Sequence, residues 1–510
     1  MNRKRSILNV TVSIFFKIAL LVGNLLVRRY LIRFIGDEVN GLNSLYLSII
    51  GVLSVVELGI GGAIIYCMYK PIVTGDTSKV LSLYKLFQKI YLIIGVVIAA
   101  AGCVLMPLLP YLAKGYENAA VNIYLTFGLM LLSVVITYFF SAQTSLMNAY
   151  EDNYIATTIT SCGQLLQYVL QIVVLFATRS FVWYLVCRIV AAAVQWGICE
   201  IVAKKRYAFV FTSESNKIDD GTKKEILKNV KAMFMHRIGG ILVNTIDSII
   251  ISAFIGVTVL GKYSNYVAIM TAMTGTLALF FTPLTATIGR LFVQDGEAFK
   301  KYYGFFCTLN FSIGCVFFLG YYSVIDDLVA LVFGGGQPLE KSISFVITVN
   351  YFIQFLRQST LLFRDASGTF YYDRWKPVLE GLSNLVLSIA FVMLFKKLFN
   401  DDLAVVGVIV ATIITNLFIC HIVEPHVLHK YAFHTSAKKY YLRNYSYIII
   451  FTAFLFLLNF CMVKFDNKLY ELLVNGCIAV GLSIVPVAGA VAADKDFRHY
   501  FAMFFRKNKN

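Results

Sequence analysis

Charge is scarce in this chain. Asp, Glu, Lys and Arg together make up 14% of 510 residues, well below the ~25% of a soluble globular protein, so most of the surface cannot face water. Acidic residues are the rarer sign, 28 against 45 basic ones. Segments of ~10 residues with alternating polarity, the mark of a membrane β-barrel, do not occur. The ten cysteines show no CxxC and no pairing-type spacing, and they fall almost entirely in apolar runs, which reads as small buried hydrophobes. The GIGG of residues 59–62 lacks the lysine and the preceding strand of a phosphate loop. No nucleophile–base pair, metal-type cluster or nucleotide loop is found, so an enzyme is not expected. MNRKRSILN could open a signal peptide, but Lys17 interrupts the apolar region and no small-residue cleavage site follows, so the segment is kept as a first helix.

What is present is apolar sequence. Hydrophobic residues reach 59% and the mean hydropathy is +0.74. Apolar runs of ~20 residues, the length a helix needs to cross ~30 Å of hydrocarbon, follow one another with short polar breaks. Fourteen spans are expected, from 7–33 to 469–491. The net charge of +17 could suggest nucleic acid, but the distribution of cations decides otherwise. With the N-terminus inside, 30 cations fall in cytoplasmic segments and 11 outside, which satisfies the positive-inside rule with both termini cytoplasmic. The expected fold is all-α and polytopic.

One stretch occurs twice. Phe34–Tyr46, FIGDEVNGLNSLY, returns without gaps 220 residues later as FIGVTVLGKYSNY at Phe254–Tyr266, identical at seven of thirteen positions. The same offset pairs Lys17 with Arg237 and Asn24 with Asn244, lays Gly75 and Asp76 over Asp295 and Gly296, and brings Tyr84 within one residue of Tyr303. Such an internal repeat implies two similar helical lobes. The expected organisation is a six-helix lobe at 1–203, a cytoplasmic linker at 204–230, a second six-helix lobe at 231–440, and two extra helices with a basic tail at 441–510.

Polar residues within the spans carry the functional expectation. Ser13, Lys17, Asn24 and Arg28 are spaced 4, 7 and 4 apart, which sets them on one stripe of the first helix. A lysine facing lipid there costs at least ~2.5–3.5 kcal/mol, so Lys17 should point into a wet cavity or at a partner; snorkelling to the nearer surface is the alternative. Arg237, Asn244 and Ser248 repeat the stripe in the seventh span, with Asp247 about 80–100° off that face. Asn350, Gln354, Arg357 and Arg364 follow one face of the tenth span, and Arg357 is mid-membrane. Glu57 and Asp247 are the chief carboxylates read within spans, and Pro283 is a candidate bend. The loop RDASGTFYYDRWKP, with Arg364 and Asp365, forms either a gate or a plain charged turn. His421, His426, His429 and His434 match no metal spacing and read as surface histidines.

The runs VELGIGGAIIYCMYKPIVTGD and DSIIISAFIGVTVLGKYSNY and the loop RDASGTFYYDRWKP resemble the polysaccharide-transporter (Wzx-type) branch of the multidrug/oligosaccharidyl-lipid/polysaccharide (MOP) flippase superfamily. The resemblance implies a V-shaped pair of six-helix lobes that moves an undecaprenyl-diphosphate-linked oligosaccharide, the repeat unit of a surface polysaccharide, to the outer leaflet by alternating access. It also implies a bacterial-type cytoplasmic membrane, with membrane lipids, a polysaccharide polymerase and glycosyltransferases as partners and no nucleic acid. Substrate binding is then expected at Lys17, Arg28, Arg237, Arg357, Asn24 and Asn244, and coupling or gating at Glu57, Asp247, Pro283, Arg364 and Asp365. No cofactor is expected beyond a coupling cation, H+ or Na+. The alternatives are a cation-coupled drug exporter of the same superfamily, a lipid-linked peptidoglycan-precursor flippase, and a membrane scaffold without transport.

Overall fold

The structure, a computed structural model, describes residues 3–57, 60–214, 221, 245–281 and 284–507, and no strand occurs among them. Two compact units are seen, residues 1–261 and 262–510. The first contains α1 (Arg3–Ile35), α2 (Asp37–Leu53), α3 (Ile60–Thr74), α4 (Thr77–Leu105), α5 (Ile123–Ala149), α6 (Asn153–Thr178) and α7 (Phe181–Arg206), then α8 (Thr245–Ile255) and the first turn of α9 (Val257–Phe281). Within it α7 packs on α5 and α6, α1 lies along α6, and α4 lies along α5. The second unit continues with α10 (Leu284–Gln294), α11 (Gly296–Phe333), α12 (Lys341–Ala366), α13 (Lys376–Leu398), α14 (Ala404–Phe433), α15 (Lys438–Cys461), α16 (Lys468–Ala493) and α17 (Lys495–Lys507).

Ten helices among the described residues are long and apolar enough to cross a membrane. The expected span at 43–68 is α2 and α3, parted by a 3₁₀ turn at Ser54–Glu57. The expected span at 263–290 falls on α9 and α10. Most of the 231–255 span lies outside the described residues, as do Pro283 and residues 215–220 and 222–230 of the linker.

The repeated stretch is built alike in both places. Gly36 separates α1 from α2 at φ 114°, and Gly256 separates α8 from α9 at φ 148°; a side chain would be strained at either backbone setting. Past each glycine, a conserved-in-repeat tyrosine buries its hydroxyl against a neighbouring helix. Tyr46 meets Thr126 Oγ1 at 2.9 Å, and Tyr266 donates to Asp326 at 2.7 Å. Further on, Asp76 caps α4 by accepting from Lys79 N at 2.9 Å, and Asp295 caps α11 by accepting from Ala298 N at 2.9 Å. These caps are 219 residues apart, so one residue has dropped out of the second copy between tyrosine and cap. Both satisfy backbone donors that a helix start leaves open.

In the second unit α11 packs along α12 and α16. Phe352 of α12 stacks on Phe451 of α15 with centroids 3.6 Å apart, and Phe311 of α11 stacks on Tyr447 of α15 at 4.0 Å. Where lipid is as apolar as the side chains, such close packing is what holds helices together.

Candidate functional site

Two groups of intramembrane charge are described, one in each unit. In the first unit the stripe of α1 presents Lys17 and Asn24 at the surface, whereas Arg28 is half-buried. Arg28 Nη2 donates to Ser44 Oγ at 3.4 Å. Its electrostatic neighbour is Tyr184 of α7, which also lies within reach of Arg188 and Tyr168. Gln171 of α6 donates to the Tyr184 carbonyl at 3.3 Å and accepts from Gln167 at 3.3 Å. Arg188 is half-buried, and the groups around it are the phenols of Tyr184 and Tyr168, with no carboxylate among the described residues. It was not singled out from the sequence, although the signal was there: one cation in the apolar run FVWYLVCRIVAAAV. Arg28 is seven residues before the end of α1 and Arg188 seven residues after the start of α7. At ~1.5 Å rise per residue, both sit roughly 10 Å inside the same end of the unit.

Of the other first-unit candidates, Glu57 closes the 3₁₀ turn and accepts from Tyr91 Oη at 3.4 Å. Asp247 on α8 is buried. Arg237 and Asn244 lie outside the described residues.

In the second unit Arg357 enters a buried cluster of two cations and two carboxylates. Its Nε and Nη2 donate to Glu424 at 3.1 and 2.6 Å, a two-point clasp of guanidinium on carboxylate. Nη1 donates to Asn416 Oδ1 at 2.6 Å and to Glu380 at 3.4 Å. Lys376 completes the set, 2.7 Å from Glu380 and 2.6 Å from Glu424. Side-chain exposure is 14% for Arg357, 4% for Lys376, 6% for Glu380 and 1% for Glu424. The cluster joins α12, α13 and α14. Each charge removed from water is matched by an opposite one, which a buried ion needs.

Two sequence expectations are corrected here. Glu57 and Asp247 are not the chief carboxylates of the spans, because Glu380 and Glu424 lie in helices that are themselves candidate spans. His421 is not a surface histidine: it is 1% exposed, donates through Nε2 to the Ile353 carbonyl at 3.0 Å and accepts at Nδ1 from Asn444 at 2.8 Å. The loop after α12 folds on itself. Arg364 bonds Asp365 at 2.9 Å and Asp373 at 2.8 Å, and Gly368 turns the chain at φ 69°.

A family model described as polysaccharide biosynthesis protein matches residues 6–288. The chain belongs to this family. No protein of curated function matches the chain by sequence. Its fold does have solved counterparts. The lipid II flippase MurJ in its inward closed conformation superposes with a TM-score of 0.63 at 12% identity, over 99% of this chain and 100% of that one. An inward-facing multidrug resistance MATE family transporter of the MOP superfamily gives 0.61 at 14% identity, over 86% of this chain and 99% of that one. A MOP superfamily transporter from Pyrococcus furiosus, described as having a reversed pocket polarity, gives 0.51 at 14% identity over 81% and 91%. At such identities the likeness is one of fold. The polytopic all-α fold is borne out, and the chain is a multi-pass membrane protein of the polysaccharide biosynthesis family.

Proposed function

We propose that this protein is a flippase that carries an undecaprenyl-diphosphate-linked oligosaccharide from the inner to the outer leaflet of a bacterial-type cytoplasmic membrane, with both termini cytoplasmic. The observation that carries the reading is Arg188, a half-buried cation in a spanning helix whose described neighbours are phenols and no acid, at the same depth as Arg28. An intramembrane cation is expensive and marks a ligand path by default. Two planar guanidinium forks suit the paired phosphates of a diphosphate. The second unit supports the same sign of ligand: Glu380 and Glu424 are already matched by Lys376 and Arg357, which leaves them poorly placed to receive a cationic drug. Lys17 and Asn24, at the surface of α1, extend the polar track toward the other end of the helix, and Arg237 and Asn244 are their repeat counterparts. Glu57 and Asp247 are the coupling candidates for an H+ or Na+ gradient, and a polymerase and glycosyltransferases are the partners that would consume and supply the substrate.

The test is surface polysaccharide in a strain lacking its own flippase. The Arg28→Ala, Arg188→Ala double variant should insert at normal levels and lose export, and Lys at both positions should retain part of it. Full export by the double alanine variant would discard the cationic route. Export of a peptidoglycan precursor, or efflux of a cationic dye with no glycan phenotype, would assign the activity to the alternative transporters.

A further inference from the structure

The histidines that the transport reading leaves unused line a cavity of about 450 Å³ where α14 ends and α15 begins. We infer that this cavity binds a phosphate-class anion, either the phosphate head of a membrane lipid or a free phosphate ester. The local fold builds it. α14 ends in a π turn at His429–Phe433, and His434 follows in the left-handed region at φ 50°. The chain doubles back there, so that Thr435 N donates to the His429 carbonyl at 3.0 Å and the Thr435 hydroxyl meets His429 Nδ1 at 3.1 Å. This turn carries His426, His429 and His434 into one concavity with Lys430 and Lys438. No lining residue is acidic.

His429 supplies the second observation. Its Nδ1 is engaged by Thr435, but its Nε2 is buried with no hydrogen-bond partner. Burying an unsatisfied polar nitrogen costs ~1–3 kcal/mol. The groups that face His429 are mostly cationic or phenolic: His426 from its own helix, Lys300 and Tyr303 from α11, and Tyr440 and Arg443 from α15, the last paired with Asp494 at 3.5 Å. Ser436 Oγ accepts from Lys438 N at 3.3 Å, which leaves its hydroxyl proton as an uncharged donor at the rim. A metal is the weaker reading, because no three ligating side chains converge in metal geometry among the described residues.

The experiment uses the full chain in a nonionic detergent and follows the histidine side-chain NMR signals during titration with inorganic phosphate. A second arm measures retention of phosphatidic acid against phosphatidylcholine by native mass spectrometry. Inorganic phosphate should bind saturably, and binding should fall about tenfold in the His434→Asn, Lys438→Gln variant, since charge-assisted bonds are lost. Both residues are exposed, and Asn tolerates the left-handed backbone, so the fold is kept. Phosphate binding without phosphatidic acid retention assigns a free phosphate ester, and preferential phosphatidic acid retention assigns a lipid head. The inference is overturned by no saturable binding in either arm, or by binding that the exposed double variant leaves unchanged.

Discussion

Gly41 of α2 and Gly261 of α9 lie backbone to backbone, and the contact is reciprocal across the repeat. A Cβ on Gly41 would strike the Val257 carbonyl, and a Cβ on Gly261 would come within 2.5 Å of the Asp37 carbonyl. Val257 and Gly261 are the counterparts of Asp37 and Gly41 at the 220-residue offset. Asn40 Nδ2 donates to the Gly261 carbonyl at 2.9 Å, and between the repeat counterparts Thr258 and Glu38 the hydroxyl donates to the carboxylate at 3.3 Å. The repeated stretch therefore meets its own copy, and glycine is what allows two membrane helices to approach so closely.

Alanine at either glycine should be costly. With backbone rather than a movable side chain in the way, Gly41→Ala or Gly261→Ala should destabilise by at least ~1–3 kcal/mol. Gly197, inside α7 with nothing within 4 Å of a Cβ, is the control, and alanine there should stabilise by roughly 0.5–1 kcal/mol. Thermal unfolding of the purified protein in detergent reads all three; equal midpoints would remove the tight crossing from the account.

The charge cluster predicts an asymmetry between two arginines. Removing Arg357 leaves Lys376 alone against two buried carboxylates, Glu380 and Glu424, and breaking such a buried pairing costs ~3–5 kcal/mol. Arg357→Ala and Glu424→Ala should each lower the amount of inserted protein. Arg188→Ala should leave it unchanged while export falls, because no described carboxylate depends on Arg188. Quantitative immunoblots of membranes, set beside surface polysaccharide, separate the two outcomes.

Within the cluster Arg357 and Glu424 should couple. Arg357 and Lys376 share both Glu380 and Glu424, so Arg357→Met with Glu424→Met should destabilise less than the sum of the single changes, by ~0.5–3 kcal/mol of interaction. Strict additivity in a double-mutant cycle would contradict the described pairing.

The matched caps give a milder pair. Asp76→Ala and Asp295→Ala each remove a side-chain acceptor from a helix start, at 2.9 Å in both cases, and each should cost ~1 kcal/mol. Asn at either position should recover most of it. A change at one cap without the other would show that the two helix starts are not equivalent in the fold.

Much was legible because it is local. Hydropathy marks a helix that must satisfy its own backbone in lipid, so α1, α4–α7, α11 and α13–α16 could be read from apolar runs alone. Glycine breaks and aspartate caps are likewise written in single residues, and the repeat exposed Gly36 with Gly256, whereas the match of Asp76 with Asp295, one residue off that register, came from the caps themselves. Arg188 was legible in the same way, as one charge in an apolar run.

By itself the sequence determined an all-helical membrane protein with a duplicated stretch and cations inside its spans, since chain length, hydropathy and side-chain charge are properties of single residues and short windows. Only the tertiary structure decided what those cations face. Arg357 and Glu424 are 67 residues apart in the chain, and Lys376 and Glu424 are 48 apart, so no window contains both members of either pair. Helical periodicity could not predict the pairing either, because the π turn at Asn416–Cys420 adds a residue to one turn of α14. That extra residue rotates everything after it relative to a 3.6-residue period, setting Glu424 against Arg357 and His421 against the Ile353 carbonyl. In a membrane an unmatched charge is too expensive to leave to chance contact, and which carboxylate matches it is settled by the packing of three helices.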